Sequence, residues 1–326
     1  MVSIVFTSSL VSQVVLDSFK VETTMFKLTV ALFVFVQVAN AQFSSGFQQF
    51  LAKKYGQDYA NLMLRADLVG TNNGSCGGSS DSKRFKLDKS DPDPVVLVHG
   101  VGASALFEVP IKNFLESHGY KAGSVRRLIV AVREYTNRNV NVVGYSLGSV
   151  MSRYAILGGR CVDTNEYLGL PLTLIVNRFV SVAELTLVSI THDYIGFCPQ
   201  NQNYQICTNQ LTGVAPSPAN SAVLAKINKF KHYEGKQTFI VGSTSDAVVL
   251  YKDVYLNNAD TNVTLSGFTH ATAIIFAPNI QYEALTNGCV SQTAINTDAQ
   301  LFVSAYPTIP LSASGSVTKQ PRRCNN

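Results

Sequence analysis

Apolar residues along the 326-residue chain keep two rhythms. Over residues 125 to 135, Val125, Leu128, Ile129 and Val132 recur at i, i+3, i+4 and i+7, while Arg126, Arg133 and Glu134 fall on the other side. A helix with one apolar stripe produces that spacing. Elsewhere apolar residues cluster without a helical period. Val95-Val96-Leu97-Val98 lies between Pro94 and His99-Gly100, and Val140 to Val143 runs into Gly144. Short β-branched runs bounded by Pro or Gly predict strands buried on both faces, the habit of parallel sheets. Further strands are expected at 172–183, 237–242 and 262–268. Helices are expected at 43–68, through Phe47, Phe50, Leu51 and Tyr55, and at 147–157, closed by Gly158-Gly159. Residues 70–93 are rich in Gly, Ser, Asn and Asp and read as a loop. Strands alternating with helices predict the α/β class, with a mostly parallel sheet covered by helices on both faces.

The N-terminus has a different character. From Met25 the chain reads MFKLTVALFVFVQVANAQ. Lys27 provides a positive start, Leu28 to Val38 a short apolar core, and Ala39-Asn40-Ala41 a small-x-small cleavage signal. A signal peptide cut before Gln42 is expected, since the apolar run is short for a membrane span. Residues 1 to 24 precede this complete signal, which makes Met25 the expected start. The expected organisation is residues 1–41 as extension plus signal peptide, and 42–326 as one domain with a short C-terminal tail.

Composition narrows the class. Hydrophobic residues make up 46% and charged residues 14%, which suits a packed globular enzyme. The net charge is +5 with scattered basic residues, so the dense stripe of a nucleic-acid binder is missing. Removing the signal leaves the charge unchanged, because Asp17, Lys20, Glu22 and Lys27 cancel. Six cysteines, Cys76, Cys161, Cys198, Cys207, Cys289 and Cys324, all follow the signal. No CxxC pair and no His-x3-His spacing accompany them, so disulfides fit better than zinc. Cys198 and Cys207 are close enough to staple a local loop. Sequons at Asn73 and Asn262 are candidate glycosylation sites. Export to the extracellular space is the expectation these features share.

The chemistry centres on Gly144-Tyr145-Ser146-Leu147-Gly148. The G-x-S-x-G pentapeptide is short, but here a β-branched strand precedes it and a helix follows. That is the context of a nucleophile elbow, where Gly144 and Gly148 permit a sharp turn that lifts the Ser146 hydroxyl above the sheet. A serine nucleophile needs a base, and the base needs an orienting acid. Three histidines follow Ser146. His192 comes early, His232 sits in a polar stretch, and His270 follows the strand predicted at 262–268. His270 is therefore the candidate base, on a loop at a strand's C-terminal end. Asp246, in the loop fed by the strand at 237–242, is the candidate acid ahead of Asp193, Asp253 and Asp260. Backbone N–H groups of Leu147 and Val101 are the candidate oxyanion donors. His99 reads as structural.

HGVG after one strand, GYSLG after another, then S-T-S-D and G-F-T-H in that order resemble the class 2 lipases, with secreted nematode-type members most alike. The resemblance runs from about residue 43 to Cys289. It takes in Arg127 to Val132, Glu134-Tyr135-Thr136 and Lys231-His232-Tyr233-Glu234-Gly235. It implies an α/β-hydrolase fold, hydrolysis of carboxylic esters such as acylglycerols, Ser146, Asp246 and His270 as triad, and Val101 and Leu147 as oxyanion donors. Two features depart from the pattern. Only 47 residues separate His99 from Ser146, short of two crossovers at roughly 30 residues each. One strand between residues 100 and 125 is therefore expected to be lacking. After Ala183 the family continues with Gly, Ala and Asn, whereas this chain has Glu184-Leu185-Thr186.

The expected mechanism is two-step acyl transfer without metal or organic cofactor. The expected partner is a lipid or small ester, taken up at a lipid–water interface in the lipase case. Neither nucleic acid nor a stable protein partner is expected. Two alternatives stay open: a small-ester or carbohydrate esterase, and an inactive lipid- or protein-binding relative.

Overall fold

The computed structural model describes residues 3–4, 43–64, 93–98, 125–160, 167, 169–184, 226–247, 259–307 and 311–321. Seven strands form one sheet whose spatial order is the chain order. They are β1 (Ser3–Ile4), β2 (Val95–Val98), β3 (Val140–Tyr145), β4 (Val176–Val182), β5 (Gln237–Ser243), β6 (Thr261–Ser266) and β7 (Ser314–Lys319). All neighbours pair parallel except β6 and β7, which run antiparallel.

Every residue of β2 and β3 is buried. That is the condition the uninterrupted apolar runs predicted. Side chains alternate across a strand, so neighbouring residues report on opposite faces. Gly144 packs against Ser149 of the helix α4 (Leu147–Leu157). Asn141, of opposite parity, donates from Nδ2 to the Leu285 carbonyl of α6 (Pro278–Thr286) and accepts from the Arg178 backbone N–H. Helices thus cover both faces, and the architecture is the α/β class that the alternating pattern predicted.

The remaining helices are α1 (Ser45–Tyr55), α2 (Gln57–Leu64), α3 (Arg126–Thr136), α5 (His270–Ile275) and α7 (Gln292–Ser304). The single helix expected at 43–68 is two, divided at Gly56. In α3, Leu128, Ile129 and Val132 of the predicted stripe are buried, and Asn137 ends the helix in a left-handed conformation. Beyond Cys289, where the resemblance stops, the chain adds α7 and β7. Phe302 of α7 stacks on Phe268 with ring centroids 4.9 Å apart, and Phe276 and Tyr306 complete the cluster. The C-terminal helix thereby packs beneath the β6–α5 connection.

Residues 1–41 have no place in the predicted fold, yet Ser3 and Ile4 pair with Leu97 and Val98 on the edge of β2. The signal peptide expected at Met25–Ala41, the loop expected at 70–93 up to residue 92, and the stretch between residues 100 and 125 where one strand is expected to be lacking lie outside the described residues. Among the described residues no helix is long and apolar enough to cross a membrane.

Candidate active site

β3 ends at Tyr145, and the next residue breaks the strand geometry. Ser146 has φ 54°, in the left-handed region that a side chain with a Cβ disfavours. The neighbouring strand holds it there, because the Ser146 N–H donates to the Val182 carbonyl at 2.9 Å. The chain then turns directly into α4, whose N-cap is Ser146. Its side chain caps no backbone N–H, so the hydroxyl serves another partner. Gly144 is required on steric grounds. A Cβ there would lie 2.4 Å from the Ser149 Cα, a backbone atom that cannot move aside.

β5 leads into a turn that carries Asp246. The turn is tied to the β6–α5 connection at several points. Thr244 N–H donates to the Leu265 carbonyl at 2.9 Å, Gly267 N–H to Ser245 Oγ at 2.9 Å, and Ser243 Oγ to the Phe268 carbonyl at 2.6 Å. Gly267 itself has φ 87°, and a Cβ would meet the Ser312 carbonyl oxygen at 2.1 Å. Thr269 and Thr272 form a reciprocal capping box, which makes His270 the first residue of α5. His270 was expected on a loop and instead begins a short helix.

These constraints bring three distant side chains together. His270 Nδ1 lies 2.7 Å from Asp246 Oδ2, and His270 Nε2 lies 3.0 Å from Ser146 Oγ. An ionised carboxylate only accepts, so Nδ1 carries the proton and Nε2 is left to accept from the serine hydroxyl. The Asp246 side chain is fully buried, whereas that of His270 is 15% exposed, which leaves its outer side open to a substrate. Asp260, a rejected candidate, accepts from the Thr238 N–H at 2.8 Å instead. His232 is exposed on the surface. Asp193, Asp253, His99 and His192 lie outside the described residues.

Of the two candidate oxyanion donors, Leu147 is the first residue of α4, where the N–H has no partner within the helix. Val101 lies outside the described residues, as do Cys198, Cys207 and Asn73. Cys289 is disulfide-bonded. The sequon at Asn262 is corrected by the fold. Asn262 sits in β6 between two paired strands and is 2% exposed, so a glycan cannot be carried on its amide in this structure. Among the described residues no cluster of His, Cys, Asp and Glu could hold a metal ion.

A charged cluster lies beside this site that sequence reasoning did not assemble. Arg153, on α4, is fully buried with Glu184 and Glu234. Its Nη1 reaches Glu184 Oε1 at 3.0 Å, its Nε reaches Glu234 Oε1 at 3.2 Å, and its Nη2 donates to Asn228 Oδ1 at 3.0 Å. Ser181 Oγ donates to Glu184 Oε2 at 2.5 Å. Burial pushes the Glu184 carboxyl above the usual carboxylate range, against the pull of Arg153 and the Ser181 hydroxyl. The signal was available in part: an arginine among Val150, Tyr154, Ile156 and Leu157 on an otherwise apolar helix announces a paired, buried charge.

Comparison with known proteins bears on the same region. Residues 121–274 match the family Lipase (class 2). No curated protein matches the chain. Solved structures similar to it include the mature Bacillus licheniformis lipase BlEst2 (15% identity, 64% of this chain and 97% of that one, TM-score 0.43). Aspergillus fumigatus lipase B is similar at 13% identity over 60% of this chain and 53% of that one, with a TM-score of 0.40. Est1E from Butyrivibrio proteoclasticus is similar at 13% identity over 60% and 84%, with a TM-score of 0.35. The span matched by that family, residues 121–274, contains Ser146, Asp246 and His270.

Proposed function

We propose that the protein is a secreted serine hydrolase that cleaves carboxylic esters, acylglycerols among them, through a Ser146–His270–Asp246 acyl-enzyme mechanism. One observation carries the reading: the unbroken chain of contacts from Asp246 Oδ2 through both imidazole nitrogens to Ser146 Oγ. His270 takes the serine proton as Ser146 attacks the ester carbonyl. Asp246 keeps the imidazole in the right tautomer and offsets the positive charge that develops on it. The tetrahedral oxyanion is received by the Leu147 N–H and, from the loop after β2, by that of Val101. His270 then protonates the departing alcohol. Water repeats the sequence and releases the acid.

Secretion rests on the signal-like segment Met25–Ala41 and on the even cysteine count, to which the disulfide at Cys289 adds support. The acylglycerol preference rests on the class 2 lipase match.

The test uses the full chain expressed for secretion, with butyrate and palmitate p-nitrophenyl esters. Wild type is expected to turn over, and Ser146→Ala to lose several orders of magnitude in kcat. The palmitate-to-butyrate ratio separates lipase from small-ester esterase. Folded wild type that hydrolyses neither ester and resists a fluorophosphonate would overturn the assignment in favour of an inactive binding relative.

A further inference from the structure

We infer that Tyr145 is a positioning residue for the general base, acting on His270 through both its hydroxyl and its ring. This rests on the Ser146–His270–Asp246 reading above and extends it to a fourth side chain.

Tyr145 is the last residue of β3, adjacent in sequence to the nucleophile, and is 4% exposed. Its hydroxyl donates to the His270 carbonyl oxygen at 3.1 Å. Its ring centroid lies 5.1 Å from that of the imidazole, with the two planes inclined at 39°. The two contacts act on different parts of His270: one fixes the main chain, the other backs the ring.

The geometry gives these contacts work that Asp246 does not perform. Asp246 grips Nδ1, at one edge of the imidazole, and a single hydrogen bond still lets the ring tilt about its axis. α5 is short, six residues, and its capping box ties its first turn only to its own residues. The Tyr145 hydroxyl supplies an anchor on the side of β3, and it comes from the residue joined covalently to Ser146. Base and nucleophile are thereby referenced to the same peptide. A shared reference keeps the Nε2–Oγ separation within the narrow range that proton transfer tolerates.

The ring adds a second effect. His270 is neutral before the serine attacks and cationic once it has taken the proton. An aromatic π-system within about 6 Å of a cation attracts it. The Tyr145 contact therefore strengthens as the reaction proceeds, and an interaction stronger in the transition state than in the ground state lowers the barrier. Substrate binding does not use it, so the expected signature is a loss of kcat at constant KM.

The test compares wild type, Tyr145→Phe and Tyr145→Leu on p-nitrophenyl butyrate, with a thermal melt for each. Ser146→Ala in the same series reports on the triad reading separately: if that variant keeps full turnover, the triad is wrong whatever Tyr145 does. Tyr145→Phe keeps the ring and loses the anchor, and kcat is expected to fall about 3- to 10-fold. Tyr145→Leu loses both, and kcat is expected to fall about 100-fold, the cost of roughly 1 Å of misplacement at a reacting group. KM is expected to stay within about twofold of wild type in both, and Phe to recover most of what Leu loses. The inference is overturned if Tyr145→Phe retains wild-type kcat, or if KM rises as much as kcat falls. A Tyr145→Leu protein too unstable to assay leaves the Phe variant, whose kcat alone decides whether the hydroxyl anchor exists.

Discussion

Ser146 and Arg153 are seven residues apart on one turn-and-helix unit, and each pays a cost that its surroundings cover. Ser146 sits at φ 54°, a strained value fixed by its bond to Val182. Arg153 is a fully buried cation held by Glu184 and Glu234. Replacing Arg153 with Met would leave two buried carboxylates without a counter-charge. The expected loss is about 3–5 kcal/mol, read as a drop in the urea midpoint at neutral pH. Adding Glu184→Gln and Glu234→Gln to the same protein is expected to recover part of it; a single variant as stable as wild type would show that the Arg153 ion pairs contribute no net stability. That Ser146, Asp246 and His270 would meet was legible in sequence because each follows a predicted strand. Tyr145 and the Arg153 cluster were not. Their partners are 125 residues away in the first case and 31 and 81 in the second, and no spacing rule links them.

At the scale of elements, the least expected part is the pair α6 and α7. Asp298 of α7 is fully buried and caps the start of α6. Its Oδ1 accepts from Asn279 N–H at 3.1 Å and Asn279 Nδ2 at 2.7 Å, and its Oδ2 from Ile280 N–H at 2.9 Å. Burial pushes its carboxyl from 3.8 up to about 6, with the Asn279 and Ile280 donors opposing. A raised folded value means that the proton is bound more tightly in the native state. The stabilisation is then whole below the unfolded value and is lost as pH rises through the folded one. Two units correspond to roughly 3 kcal/mol. The stability of wild type minus that of Asp298→Asn is expected to fall by about that amount between pH 4 and pH 7; a flat difference would refute the shift. The inner strands were readable because β-branched residues crowd positions that are buried on both faces. α7 was not, since its buried side is built from Ala294, Ile295, Asp298, Ala299 and Phe302, where two alanines and an acid dilute the apolar stripe. The break between α1 and α2 at Gly56 was likewise hidden, because a lone glycine inside an apolar pattern need not end a helix.

At the scale of the molecule, each described strand from β2 to β6 lies beside the described strand before it, with β7 returning antiparallel. The C-terminal part is fastened by the packing of Phe302 against Phe268, and Cys289 is disulfide-bonded. Cys289→Ser is expected to cost about 2–4 kcal/mol and to lower the melting temperature, with reductant producing a smaller further shift in the variant than in wild type. A variant that melts with wild type would show that the crosslink constrains nothing in the unfolded chain.

The sequential sheet also sets a timetable. Ser146 lies 124 residues before His270, and the base is fixed only when α5 is capped and Phe268 is covered by Phe302. During synthesis, a chain that has released β3 and its strained turn still lacks acid, base and the helix that seats them. On the proposed reading, Ser146 is therefore made long before its base is seated. A chain cut short before Phe302 is expected to carry an unreactive serine.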